Sequence, residues 1–130
     1  MRVSTPGGTR RRTSWVAAVA AVMAMAPAGA SAAPTVTEFS TGISEGAAPR
    51  HIAAGPDGRL WFTESGTDHV GAITTAGTVT EYSEGITPGA NLEGITAGPD
   101  GNLWFAEWSA HSVGRITPGG TVNCWTGSPA

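Results

Sequence analysis

Between residues 35 and 126 the large apolar residues come in short runs separated by glycine, proline and aspartate, with no sustained helical spacing. The pattern predicts eight extended segments. They are Ile52–Ala54, Leu60–Thr63, Val70–Thr74 and Val79–Tyr82, then Ile95–Ala97, Leu103–Ala106, Val113–Thr117 and Val122–Trp125. Pro56-Asp57-Gly58 supplies hairpin chemistry between the first two, because proline presets φ and glycine accepts the closing conformation. The consecutive Leu60-Trp61-Phe62 puts bulk on both faces of its strand, as a sheet covered on both sides requires.

The segments repeat. At an offset of 43, residues 35–77 match residues 78–120 at roughly 24 of 43 positions, and "GPDGRLWFTE" returns as "GPDGNLWFAE". "TVTEFSTGI" likewise returns as "TVTEYSEGI", and a third copy opens at Thr121 as "TVNCWTGSP". A four-stranded unit of about 40–45 residues is the mark of a β-propeller blade. The expected fold is all-β: a partial β-propeller of two four-stranded antiparallel blades, about 51–83 and 94–126, preceded by one outer strand at Val36–Phe39. That leading strand lacks its own first three strands, as in propellers whose N-terminal strand completes the last blade; the register therefore places further blades after Ala130. Two blades cannot close a ring, and Trp125 in the outer strand does not make a polar cap. A truncated reading frame is one expectation. Self-association into a homo-oligomer is another.

The first 32 residues have a different layout. Arg2 and Arg10-Arg11-Arg12 precede an apolar run from Trp15 to Ala26, and Ala30-Ser31-Ala32 offers an A-x-A cleavage site. Residues 1–32 are therefore read as a secretory signal peptide, with a twin-arginine variant suggested by the arginine run and opposed by the polar Thr13 and Ser14. The run is too short for a membrane span of about 20 residues, so the expectation is a bacterial export product, secreted and free of the membrane after cleavage. Removing the signal leaves three arginines against ten carboxylates, a net −7, which excludes a nucleic-acid surface. The absence of lysine beside abundant alanine, glycine and proline suits a GC-rich bacterial source. Cys124 is alone and cannot form an intramolecular disulfide.

Residues 35–126 resemble the streptogramin B lyases, also called virginiamycin B lyases, whose seven-bladed propeller repeats "P-x-G-I-x-x-G-P-D-G-x-L-W-F-T-E", "I-G-R-I-T" and "I-T-E-F". Here these appear as "GPDGRLWFTE", "GPDGNLWFAE", "VGRIT" and "VTEF". The resemblance implies linearisation of a cyclic depsipeptide antibiotic by elimination across its ester. A histidine base would remove the proton beside a carbonyl while Mg²⁺ stabilises the developing negative charge.

The family's important histidines lie in a "P-H-x-I" phrase at the entrance to the innermost strand. Aligned on Ile52, this chain has Arg50 in the histidine column and His51 one place late; in the second blade the column holds Glu93. An offset of one residue turns a strand side chain to the other face, so neither blade carries the phrase intact. His51 is the candidate general base, and Arg50, Glu93 and Trp108 are candidate ligand-binding residues, with metal ligands unassigned. Glu93 could take a metal or a ligand, although one carboxylate makes a poor Mg²⁺ site. Trp108 is singled out because Ser65 occupies its place in the first blade. The recurrence of Glu64 and Glu107 argues for bonding loop groups, and Asp57 and Asp100 are read as turn residues. Asp68 beside His69 is a conceivable metal pair or two exposed loop residues, with His69 aligned to Ser112. No nucleophile elbow, phosphate loop, zinc spacing or EF-hand loop is present. An alternative function is a non-catalytic binding module that self-associates to complete a ring.

Overall fold

The computed structural model describes Gly29 and residues 31–127, so the expected signal sequence lies outside the described residues apart from that short stretch. The strands form two antiparallel four-stranded sheets, each a simple meander. The first contains β1 (Pro49–Ala54), β2 (Leu60–Glu64), β3 (His69–Ile73) and β4 (Val79–Tyr82). The second contains β5 (Leu92–Ala97), β6 (Leu103–Glu107), β7 (Ser112–Ile116) and β8 (Val122–Thr126). No helix occurs among the described residues.

Strand alternation decides what meets between the sheets. Trp61 and Thr63 of β2 point towards the second sheet, whereas Phe62 and Glu64 point away from it. Leu103 and Phe105 answer from β6, and the interface closes around Trp61, Val70, Ala72, Leu92 and Ile116. Gly71 and Gly114 are required by this layering: a Cβ at either would run into the ring of Phe62 or Phe105 on the neighbouring strand. The turn aspartates do more than turn. Asp57 and Asp100 each accept a 3.0 Å hydrogen bond from the indole N–H of Trp61 and Trp104, fixing the largest side chain of each sheet.

Two expectations are corrected. Residues Val36–Phe39 form no strand, because a ladder needs a third strand beside them and neither sheet pairs with them. Phe39 nevertheless sits over Gly77 as Tyr82 sits over Gly120, so its side chain takes the place of a fourth-strand residue without the hydrogen bonds. The inner strands also begin earlier than the apolar pattern implied. Pro49 pairs with Glu64 and Ile52 with Phe62, which leaves Arg50 and His51 opposite Thr63 alone: a β-bulge. The same bulge recurs in β5 between Leu92 and Ile95.

Candidate functional site

The bulges bring the candidate residues together. In β1 the extra residue cancels the alternation that would have sent Arg50 and His51 to opposite faces, and both approach Glu93 in the matching bulge of β5. Arg50 Nη2 lies 3.0 Å from Glu93 Oε1, and His51 Nδ1 lies 4.0 Å from Glu93 Oε2. Thr63 holds the pair of strands in register here. Its buried hydroxyl accepts the backbone N–H of His51 at 3.2 Å and donates to the backbone carbonyl of Glu93 at 2.5 Å. Ala106 fills its place in the second sheet, so this substitution within the repeat was the available signal for a residue that sequence reasoning passed over.

Arg50 is half exposed and Glu93 about a quarter, so their ion pair contributes only about 0–1 kcal/mol to stability. Its consequence is chemical. A guanidinium offers only N–H donors and no acceptor, so the residue in the family's histidine column here can donate to an oxygen but cannot serve as a base. His51 keeps an open imidazole, and at 4.0 Å the Glu93 carboxylate is too far to fix its orientation by a hydrogen bond. Beside Arg50 and His51 the outer face of the first sheet carries a groove of about 280 Å³, with Ile43, Ile52, Phe62 and Ile73 along it. The arrangement suits an apolar ligand with a carbonyl group at one end.

The mouth does not fit Mg²⁺. That ion asks for a near-octahedral oxygen shell, whereas the carboxylate of Glu93 is already compensated by a fixed cation 3.0 Å away. Trp108 is not part of this cluster. Its side chain is 70% exposed and borders a separate hollow with His111 and Trp125, which shares no residue with the groove beside Arg50.

Glu64 and Glu107 are buried at the strand ends, bonded to loop groups as their recurrence suggested, but they live differently. Glu107 accepts hydrogen bonds from the Thr87 amide and hydroxyl, from the Ser112 hydroxyl and from the Cys124 thiol. Burial alone would raise its pKa, yet these donors outweigh it and hold the carboxyl below its usual range. Cys124 is pushed up to about 12, by burial first and by the Glu107 carboxylate second. In the first sheet the corresponding loop residue, Ser44, gives its amide and hydroxyl to Glu81 at 2.6 Å each, and Glu64 keeps only the Thr67 hydroxyl at 3.1 Å. Burial, followed by the facing Glu81, raises Glu64 to about 7. His69 belongs with these two glutamates and not with Asp68, whose carboxylate accepts the amides of Gly89 and Asn91.

Comparison with known proteins gives the context of this geometry. The family profile described as the Virginiamycin B lyase family matches residues 19–127. Among solved structures, a streptogramin B lyase superposes with a TM-score of 0.67 at 38% identity, over 71% of this chain and 30% of that one. A catalytically inactive variant of virginiamycin B lyase from Staphylococcus aureus, with quinupristin, gives 0.64 at 36% identity over 68% and 30%. The selenomethionine-substituted enzyme from the same organism gives 0.62 at 38% identity over 65% and 28%. The chain thus spans less than a third of the length of these relatives. Comparison with curated proteins gives no match. With all of its described length covered by the family profile and two thirds or so of the chain superposing on lyase structures at 38% identity, the chain belongs to the virginiamycin B lyase family.

Proposed function

We propose that this chain is an exported, lyase-like propeller segment that binds a cyclic depsipeptide of the streptogramin B class at the mouth of its inner strands and does not linearise it unaided. One observation carries the reading: the column that resemblance assigns to the proton-abstracting histidine holds Arg50 in one sheet and Glu93 in the next, and the two are ion-paired. Arg50 retains donors for an ester or amide carbonyl, and the neighbouring apolar groove offers surface to the ring's side chains. The relative that carries quinupristin supports the ligand class. Elimination needs a base within hydrogen-bond reach of the proton, and His51 is the sole imidazole at this mouth among the described residues.

The test is a titration of the full chain with quinupristin followed by chromatography of the ligand. Saturable binding that weakens about tenfold in Arg50→Ala, with the ring left intact, is the expected result. Linearised antibiotic in a metal-containing incubation would overturn the claim of inactivity, and no binding at millimolar ligand would overturn the ligand class.

A second reading is favoured by the two unmatched sheet faces. Val70 is fully buried between the sheets, but its repeat counterpart Val113 is 47% exposed beside Trp125 on the far side of the second sheet. That outer face reproduces the one the first sheet uses inside the molecule, so a second copy of the chain can dock there.

A further inference from the structure

We propose that Glu64, His69 and Glu81 form a binding site for a divalent transition-metal cation of the Zn²⁺ type, on the face of the first sheet turned away from the second. One ligand atom from each lies within 4.8 Å of the others. His69 Nδ1 stands 3.4 Å from Glu64 Oε2 and 3.5 Å from Glu81 Oε2. Zinc bonds of about 2.0–2.1 Å in a tetrahedron place neighbouring ligand atoms about 3.3 Å apart, so these separations describe edges of that polyhedron. They are too long for good hydrogen bonds.

Burial supplies independent support. Glu64 has no exposed surface, its Oε1 has no hydrogen-bond partner, and neither has His69 Nδ1. An unpaired buried carboxylate oxygen is costly, and a cation is the species that relieves two facing carboxylates and an unpaired nitrogen together. The surrounding groups orient the ligands as outer-shell partners do in metal sites: Ser44 grips Glu81 with its amide and hydroxyl, and Thr67 donates to Glu64.

The repeat provides a built-in control. The same positions in the second sheet are Glu107, Ser112 and Cys124, where hydroxyl, thiol and amide donors satisfy the carboxylate without an ion. Only the first sheet exchanges two donors for an imidazole and a second carboxylate. The imidazole nitrogen also selects the cation, favouring zinc over the oxygen-seeking magnesium and calcium. This site shares no residue with the Arg50–Glu93 mouth or with the groove beside it.

The experiment is a Zn²⁺ titration of the metal-free full chain by calorimetry, paired with NMR of its three histidines. One Zn²⁺ per chain is expected, with the His69 ring resonances shifting and those of His51 and His111 unmoved, and with excess Mg²⁺ failing to compete. His69→Ser, which installs the second sheet's own residue, and Glu81→Gln should each weaken binding by about tenfold or more. Absence of saturable binding, shifts confined to His51 or His111, or undiminished affinity in both variants would overturn the proposal. The NMR readout on the unmodified chain decides the matter should a variant fail to fold.

Discussion

The same glutamate closes the second strand of each sheet, yet its neighbours send its proton affinity in opposite directions. Glu107 is held below the ordinary carboxylate range by its donors, while burial and then Glu81 lift Glu64 to about 7. A carboxyl raised in the folded state stabilises the fold while both states are protonated, below its ordinary 4.5, and that contribution disappears as pH rises through about 7. In metal-free buffer the melting temperature should therefore fall between about pH 5 and 7, and Glu64→Gln should flatten that slope. An unchanged slope in the variant would assign the effect to another group. The lowered carboxyls, Glu81 and Glu107 among them, act in the opposite sense and at lower pH, so the two windows separate. The recurrence of Glu64 and Glu107 in the sequence announced a structural duty for both. The contrast between them was also legible, at the positions 43 residues apart that hold His69 and Ser112, and Glu81 and Cys124; only the fold shows that these converge on one carboxylate.

At the scale of the strand, apolar runs and turn residues located all eight elements, since burial on both faces leaves a continuous signature. The bulges in β1 and β5 escaped because they depend on which residues pair across strands, and pairing has no single-strand signature. That omission mattered for the site: without the bulge, His51 would turn away from Glu93. The layers also set unequal tolerances. Gly114→Ala drives a methyl into Phe105, which is locked between the sheets, and should cost about 1–3 kcal/mol. Gly71→Ala meets Phe62 beside an open groove into which the ring can move, and should cost less. Denaturant unfolding of the two variants checks the ordering, and equal losses would show that the outer face is as rigid as the interface.

For the molecule as a whole, the two outer faces are unlike. One presents Trp104, Val113, Arg115 and Trp125, with the Trp104 and Trp125 rings stacked 5.5 Å apart; the other presents Ile52 and Leu60, with Ile73 half-buried and Phe62 buried along its groove. Inside the chain the repeat counterparts of these two surfaces already meet each other. Light scattering should thus show concentration-dependent association, abolished by Val113→Asp with folding stability changed by no more than about 0.5 kcal/mol. A wild-type chain that stays monomeric at every concentration would remove the self-association reading. Because the faces differ, a joint between copies would be head-to-tail and lack a two-fold axis, so it would end only when a circle closes. Such a joint would leave one face of each kind open at every stage before closure, so association would pass through the dimer without stopping there.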